Sequence, residues 1–484
     1  MGYSYPPLRR RATLLDAYQR FIESNVQPFT VPGHKRRMAD IDEGLALATD
    51  NDVPLYGGLD TIKLSNGHLA QAESRAAALF GADWCRFSTG GSTHANQAMC
   101  LALGTPGDEV IVTRTLHRST LLGLVLAGLV PRWLPSRIDK RTGIPLGTLA
   151  DDVAEALDDT PRAVAVLLTE PGYLGTIGQL ESSIHAAHVH DVPVIVDQAW
   201  GAHLGFHPDL PRHAMALGAD AMVTSIHKLL PGCSQASLVC ASTRRLDLER
   251  LERGFDATHT TSPAGSILAS IDGSLALMQD RGADLLGTTI DLIARARERF
   301  VTSIPGIVVP DQAYFGVARY DPLRLTISLP GTGANGIEVE RRLIDLGLTV
   351  EMADRDTIIP VVTIADDRSS IEQMTASIIT AVAGCADEPR SVSGAISWRV
   401  LGQSVLTPRD AFFAPHERVS AREALGRVSA ELIAPYPPGI PVFAPGELIT
   451  EDVLDSLMNL AAEGVRIAYA SDPTLATFDV VRET

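Results

Sequence analysis

Residues 192–237 read VPVIVDQAWGAHLGFHPDLPRHAMALGADAMVTSIHKLLPGCSQAS, and this stretch decides the fold. Its first apolar segment, residues 192–196, predicts a buried strand that ends at Asp197. A second apolar segment, residues 221–224, predicts another strand, and residues 212–217 predict a short helix between the two. Short apolar strands with a helix-sized connection are typical of parallel neighbours in an α/β sheet. We therefore expect both strands to end at the same edge of one sheet.

Each predicted strand brings an ionisable group to that edge, where α/β proteins bind their ligands. The first ends in Asp197, and the second is followed by His227 and Lys228. This pairing suits pyridoxal phosphate (PLP), because a buried carboxylate keeps the pyridine nitrogen protonated and the ring electron-accepting. A lysine forms the Schiff base as a neutral amine, which burial favours. On spacing alone, a structural ion pair, or two groups that never meet, explains the pattern equally well.

Composition limits the class of protein. A chain of 484 residues predicts about two or three domains with a large shared core. The net charge of -17 argues against nucleic acid as a partner. The sequence has no apolar run of membrane-span length, and its N-terminus lacks the apolar core of a signal peptide. Since the five cysteines show no CxxC or zinc spacing, we expect reduced thiols, no metal site and a cytoplasmic location.

A glycine-rich turn provides a candidate phosphate site. Residues 85–99 read CRFSTGGSTHANQAM, which predicts a strand broken at Gly90 and Gly91 and a helix opened by Ser92 and Thr93. Free N–H groups, hydroxyls and the helix dipole make such a helix start an anion site. An ordinary helix N-cap is the alternative, and GGST alone is weak support.

A histidine follows another predicted strand. Residues 109–112 predict the strand, and His117 comes just past its end, on the side of the sheet where a cofactor would lie. A histidine there can stack on a pyridine ring, although a hydrogen-bonded loop histidine is the commoner case. Residues 163–168 predict a further strand. Strands alternate with helical segments over residues 85–240, which predicts a doubly wound α/β domain.

The rest of the chain predicts smaller units. Residues 284–300 predict a long connecting helix, and residues 304–364 alternate short strands with one helix, as in a small α/β domain. Residues 385–394 are the best linker candidate. The segment YPPGIPVFAPGE at residues 436–447 predicts a rigid extended path, either a structural turn or part of the site. We expect four parts: an N-terminal segment (1–60), a PLP-binding large domain (61–300), a small α/β domain (301–388) and a C-terminal domain (389–484).

Taken together, these motifs resemble a known family, the bacterial ornithine/lysine/arginine decarboxylases of PLP fold type I, the aspartate-aminotransferase-like fold. The resemblance covers nearly the whole chain and favours the short members without an N-terminal receiver-like domain. It implies a large domain with a mostly parallel sheet, a small α/β domain and a C-terminal α+β domain. The segments that carry it are, in order, FTVPGHKRR, FSTGGSTHANQA, RTLHRS, TEPGYLGT, VDQAWGAH, SIHKLLPGCSQAS, TTSPAGSILASID and GRVSAELIAPYPPGIPVFAPGE.

The resemblance also implies a role for each candidate residue. Lys228 is the Schiff-base lysine and Asp197 pairs with the pyridine nitrogen. His117 stacks on the ring, and Ala199 packs against its opposite face. The residues implied to hold phosphate are Ser92, Thr93, Ser225, His227 and, across a dimer interface, Thr261 or Ser262.

The implied reaction is PLP-dependent decarboxylation of arginine, lysine or ornithine to the amine and carbon dioxide, in a homodimer or higher homo-oligomer. The catalytic set is Lys228, His227 and His117, and Lys228 or His227 would return a proton to Cα.

One segment departs from the family. Where the family reads DEAHGAH, this chain reads DQAWGAH, so that Gln198 removes a negative charge and Trp200 replaces an ionisable ring. Aminotransfer or oxidative chemistry on the same scaffold is therefore the rival prediction, and a catalytically silent binding relative is the remaining one.

Overall fold

The computed structural model describes residues 12–24, 26, 29–39, 41–53, 67–316, 319–392, 402–435 and 439–483. Short strands and helices alternate through the first half of the chain. The strands up to residue 241 are β1 (Trp84–Ser88), β2 (Glu109–Thr113), β3 (Val130–Leu134), β4 (Ala165–Thr169), β5 (Thr176–Ile177), β6 (Val194–Asp197), β7 (Ala221–Ser225) and β8 (Ser237–Ala241). All except β5 form one seven-stranded sheet in the order β1-β8-β7-β6-β4-β2-β3.

This sheet is parallel except for β8. β2 pairs in parallel with β3 and β4, β4 with β6, and β6 with β7, whereas β8 runs antiparallel to β1 and β7. The strands predicted over residues 192–196 and 221–224 are β6 and β7, and they are parallel neighbours, as predicted. The register pairs Thr169 with Asp197 and Ser225 with Ser237. The ends of β4, β6 and β7 and the start of β8 therefore lie at one edge.

Helices cover both faces of the sheet. Val194 and Val196 face one apolar cluster, and Ile195 faces the other. Since β6 is buried on both faces, residues on both faces are apolar up to the final Asp197. The helices of this half of the chain are α1 (Thr13–Glu23), α2 (Glu43–Thr49), α3 (His68–Phe80), α4 (Gly91–Leu103), α5 (Arg118–Ala127), α6 (Ala150–Asp159), α7 (Leu180–Val189), α8 (Ile226–Leu229), α9 (Leu248–Thr258) and α10 (Gly265–Ser303), with a 3-10 turn at Ala214–Leu217.

A smaller unit shares the core of the large sheet. α10 is a single helix of 39 residues, so the helix predicted over residues 284–300 is its second half. The apolar cluster around α10 continues to Leu343, Ile358 and Ile378, which explains why the two units share one core. The elements of the smaller unit are β9 (Arg319–Tyr320), β10 (Ile327–Ser328), α11 (Gly336–Asp345), β11 (Met352–Ala353), β12 (Thr357–Ile359) and α12 (Arg368–Ala383), with a 3-10 turn at Pro330–Thr332. Its sheet is antiparallel, in the order β10-β12-β11, and β9 pairs with β5.

The C-terminal part has an apolar core of its own, which includes Phe443, Leu457 and Phe478. Its elements are α13 (Pro408–Phe413), β13 (His416–Ser420), α14 (Ala421–Ala424), β14 (Ala434–Pro435), α15 (Glu451–Ala462), β15 (Ile467–Ala468) and β16 (Thr477–Val481). The sheet pairs are β13 with β16 and β14 with β15. Residues 436–438 of the predicted rigid segment lie outside the described residues. The predicted division of the chain into four parts stays a prediction.

A buried ion pair fastens the C-terminal part to the large sheet. Arg114 follows β2, and its guanidinium donates to both carboxylate oxygens of Glu447, at 2.7 and 2.9 Å, and to the Val442 carbonyl at 2.8 Å. Both charged side chains are almost completely buried. Across the described part of the chain, no helix combines the length and apolar character that a membrane span requires.

Candidate active site

A cavity of about 500 Å³ lies where β4, β6 and β7 end and β8 begins. Thr261 and Ser262 do not line it: both are exposed before α10, and the predicted role of one of them in the site of a second subunit stays a prediction. The other predicted site residues all line the cavity: Ser92, Thr93, His117, Asp197, Ala199, Ser225, His227 and Lys228.

Asp197, the last residue of β6, is a buried carboxylate with two hydrogen-bond donors. Asn96 Nδ2 donates to Oδ2 at 2.7 Å, and the Ala199 N–H donates to Oδ1 at 3.1 Å. Burial raises the pKa of Asp197, while the charge of Lys228 and these two hydrogen bonds lower it. The donors therefore favour the ionised form of Asp197, which burial disfavours.

Lys228 lies in α8, a single helical turn directly after β7. Burial lowers the pKa of Lys228 to about 8, with the nearby Asp197 charge acting in the opposite direction. Its Nζ is 4.3 Å from the ring centroid of Trp200. At neutral pH the amine is thus closer to its nucleophilic neutral form than an exposed lysine would be.

Hydrogen bonds connect Asp197 to His117. Asn96 Nδ2 also donates to Ser119 Oγ at 3.0 Å, and Ser119 Oγ lies 2.8 Å from His117 Nδ1. The Ser119 N–H donates to the same nitrogen at 3.2 Å, which makes His117 the N-cap of α5. Since Nδ1 accepts, the proton of the neutral ring is on Nε2. Burial, with the charges of Lys228 and Arg118, lowers the pKa of His117 to about 4, so the ring is neutral.

Hydroxyl groups cluster beside the start of α4. Ser92 Oγ lies 2.7 Å from Ser225 Oγ and 3.1 Å from Ser237 Oγ. Gly91 adopts a φ of 67°, a left-handed conformation that favours glycine, as the chain turns from β1 into the helix. The first N–H groups of a helix lack intrahelical partners. Buried hydroxyls and a helix start thus form one end of the cavity.

His227 has a defined tautomer. Its Nδ1 lies 2.8 Å from the Ala236 carbonyl, which can only accept, so the proton is on Nδ1 and Nε2 is an acceptor when the ring is neutral. Burial lowers the pKa of His227 and favours this neutral form. A proton donated by Nε2, to phosphate or to carbon, requires the charged ring. Of the two predicted proton donors, Lys228 is therefore the better suited.

The sequence matches two models of one family along most of its length. Residues 13–370 match the Orn/Lys/Arg decarboxylase major domain, and residues 397–465 match the C-terminal domain of the same family. The chain belongs to the Orn/Lys/Arg decarboxylase family. It is thus an amino-acid decarboxylase of the PLP-dependent class, as predicted.

Relatives of this decarboxylase include two curated arginine decarboxylases. The protein from Bacillus subtilis (strain 168) is 33% identical over 94% of each chain, and that from Bacillus anthracis is 30% identical over 97% of each chain. The crystal structure of a lysine decarboxylase from Francisella novicida superimposes with a TM-score of 0.84 at 21% identity, covering 97% of this chain and 81% of that one. This likeness confirms the predicted PLP fold type I.

Only one of the two departures in the DQAWGAH segment lies in the cavity of the decarboxylase. Trp200 lines it, and its ring makes an edge contact with Tyr173, with 5.3 Å between centroids. The buried Gln198 side chain instead donates to the Gly201 carbonyl at 3.0 Å and accepts from the Ala214 N–H at 2.8 Å. Gln198 thus stabilises its own loop and does not line the cavity.

Several cavity residues were not predicted from the sequence. Asn96 falls one helical turn after Ser92, and this i, i+4 spacing on α4 could have indicated it. Glu351 comes from the smaller unit and Ile440 from the C-terminal part, so no local pattern could have placed them in the site. The full set is Asn96, Thr115, Thr169, Pro171, Tyr173, Gln235, Glu351 and Ile440.

Proposed function

We propose that this decarboxylase converts a basic amino acid, preferentially arginine, to its amine and carbon dioxide. The observation that carries the proposal is the carboxylate of Glu351, which lines the same cavity as Asp197 and Lys228. A cavity with a partly buried lysine, a carboxylate for the cofactor and a second carboxylate suits a substrate with a distal positive charge.

The cavity residues fit PLP. Ser92 and Thr93 at the start of α4, and Ser225 at the end of β7, offer hydroxyls for its phosphate. His227 offers a further contact when charged. Asp197 offers a buried carboxylate for the pyridine nitrogen, and the Lys228 amine is available for covalent attachment. When bound, the cofactor supplies an electron sink for the pair left on Cα as carbon dioxide departs.

His117 and Ala199 line the cavity beside these groups and would contact the two faces of the ring. The neutral His117 ring, with its acceptor nitrogen occupied by Ser119, adds no second positive charge next to Lys228. The low pKa of Lys228 then depends first on burial, with a smaller contribution from the positive charge of Arg324. Once free of the cofactor, the Lys228 ammonium can return a proton to Cα.

Glu351 is suited to receive the distal group of the substrate. It directly precedes β11, its side chain is exposed, and Tyr173 Oη donates to its Oε1 at 3.3 Å. A guanidinium can donate two parallel hydrogen bonds to such a carboxylate, whereas an ammonium acts as a point charge. This geometry, and the names of the two arginine decarboxylases above, favour arginine over lysine and ornithine.

The test is turnover by purified, PLP-loaded protein given arginine, lysine, ornithine or citrulline, the uncharged isostere of arginine. We expect equal yields of amine and carbon dioxide, with the highest kcat/KM for arginine. Turnover of citrulline at the arginine rate would contradict recognition of a distal charge. Keto acid or hydrogen peroxide in place of the amine would contradict decarboxylation.

The role of Glu351 has its own test. Glu351→Gln should lower kcat/KM for arginine by about tenfold to a hundredfold, the loss of one hydrogen bond between charged groups. The matched control is Glu340→Gln on α11, since Glu340 does not line the cavity. Equal effects of the two substitutions would mean that Glu351 does not bind the substrate.

We also propose that the decarboxylase is a homodimer or higher homo-oligomer in which Ser262 reaches the phosphate of a second subunit. Ser262 is exposed and outside its own cavity, which leaves it available for that contact. Analytical ultracentrifugation tests the assembly. Ser262→Ala should weaken PLP binding only if the sites are shared, and a monomeric, fully active enzyme would contradict the proposal.

A further inference from the structure

Trp200 lies between the cavity and a buried cation. The guanidinium carbon of Arg324 is 4.1 Å from the Trp200 ring centroid, and Arg324 is only 4% exposed. Trp200 lines the cavity, whereas Arg324 does not. The same ring also contacts the ammonium of Lys228, so a single indole adjoins both positive groups.

The Arg324 guanidinium retains an unused donor. Its Nη2 is buried and has no hydrogen-bond partner among the residues that the structure describes. Gly175 makes room for its stem: a Cβ there would lie 2.5 Å from Arg324 Cγ, and the φ of 95° at Gly175 also favours glycine. The face of the indole provides partial compensation for the buried charge.

A cation that pairs with the carboxylate of the substrate would slow a decarboxylase. In the reaction the bond between Cα and the carboxylate carbon breaks, the electron pair stays with Cα, and the carboxylate departs as neutral carbon dioxide. A guanidinium paired with the carboxylate would stabilise the starting state but not the departing molecule. An interaction that is stronger in the ground state than in the transition state lowers kcat.

We propose that Trp200 keeps the Arg324 guanidinium off the α-carboxylate of the substrate and so protects the rate of carbon dioxide loss. Trp200 is then a positioning residue, which acts through Arg324. The inference rests on the proposed function, because it requires an amino acid to react in this cavity. It gives a physical role to the one departure in the DQAWGAH segment that lies in the cavity, where an indole supplies a broad face and no acceptor.

The test separates this role from a merely structural one by steady-state kinetics on the holoenzyme. Trp200→Ala should lower kcat about tenfold and lower KM as well, since the exposed guanidinium then binds the substrate carboxylate. Trp200→Phe keeps an aromatic face over Arg324 and should retain most of kcat. In an Arg324→Met background, where the guanidinium is gone and only Lys228 remains beside the ring, Trp200→Ala should lower kcat by less than about threefold.

A fall in kcat with KM unchanged or raised, which Arg324→Met does not relieve, would overturn the inference. A second measurement applies if Arg324→Met does not fold. The inhibitors δ-guanidinovalerate and n-butylguanidine differ only in that the first has a carboxylate. Trp200→Ala should improve binding of δ-guanidinovalerate relative to n-butylguanidine by about tenfold. Equal weakening of both inhibitors would overturn it.

A different measurement shows whether the proposed function itself is wrong. If the unmodified enzyme releases no carbon dioxide from any basic amino acid, the proposed function is wrong. If the unmodified enzyme does release carbon dioxide, but the Trp200 variants do not show the predicted changes in kcat, KM and inhibition constants, only the role of Trp200 is wrong.

Discussion

Replacement of Asn96 by alanine tests how its hydrogen bond favours the ionised form of Asp197. The two hydrogens of Asn96 Nδ2 are both used, at 2.7 Å on Asp197 Oδ2 and at 3.0 Å on Ser119 Oγ. A hydrogen bond to a charged group contributes about 1.5–3 kcal/mol, and one between neutral groups about 1 kcal/mol. If Asp197 must be ionised to hold the cofactor, Asn96→Ala should weaken PLP binding by about tenfold to a hundredfold.

The effect should also depend on pH, with a sign fixed by the structure. The Asn96 hydrogen bond lowers the pKa of Asp197, which burial raises. Its loss therefore raises that pKa further, so Asn96→Ala should impair PLP binding most at low pH and least at high pH. The defect should shrink as rising pH ionises Asp197 without help from Asn96.

The assay is titration of the apoenzyme with PLP at several pH values, followed by the visible absorbance of the lysine-bound cofactor. The matched control is Gln97→Ala, at the next position of α4, because Gln97 does not line the cavity. The reasoning is refuted if Asn96→Ala and Gln97→Ala bind PLP equally well at every pH.

Other predictions concern Lys228 and the buried ion pair. Lys228→Ala should abolish both the absorbance of the lysine-bound cofactor and the decarboxylase activity; full activity would exclude its proposed role. In the unmodified apoenzyme, the rate of covalent PLP capture should rise with pH and level off above about 8, because only the neutral amine attacks, and a flat pH profile would contradict the low pKa of Lys228. Arg114→Met should lower the free energy of unfolding by about 3–5 kcal/mol in urea denaturation, because it leaves Glu447 buried and unpaired. The double variant Arg114→Met/Glu447→Met should lose less than the sum of the two single changes, and strict additivity would argue against the pair.

The edge of the sheet could be predicted because its determinants are local. β6 and β7 are short and mainly apolar, and each ends at a polar residue, Asp197 or Ser225. Parallel pairing then brings those ends together. The antiparallel course of β8 was not predicted, since an apolar strand that is buried on both faces carries no signal of its direction.

The distal half of the cavity could not be read from local patterns. Glu351 reaches the cavity, and Arg324 reaches the far side of Trp200, only because α10 and the shared core dock the smaller unit against the large sheet. Ile440 arrives in the same way, through the C-terminal part that Arg114 and Glu447 fasten. Contacts between residues so far apart in sequence depend on packing rather than on periodicity.

The sequence also could not show which side chains of the DQAWGAH segment face the cavity. Gln198 and Trp200 both depart from the family segment, yet only Trp200 faces the cavity. The Gln198 side chain instead forms buried hydrogen bonds with the Ala214 N–H and the Gly201 carbonyl. Their directions depend on the turn after β6, whose backbone dihedrals the sequence alone does not specify.

The central claim is that this protein breaks the bond between Cα and the carboxylate of a basic amino acid and returns a proton to Cα. The most direct measurement gives the PLP-loaded enzyme arginine with an isotopically labelled carboxyl carbon, in heavy water. We predict one labelled carbon dioxide for each amine formed, with a single deuterium at Cα of the amine. A product that retains the labelled carbon as a keto acid would contradict the account.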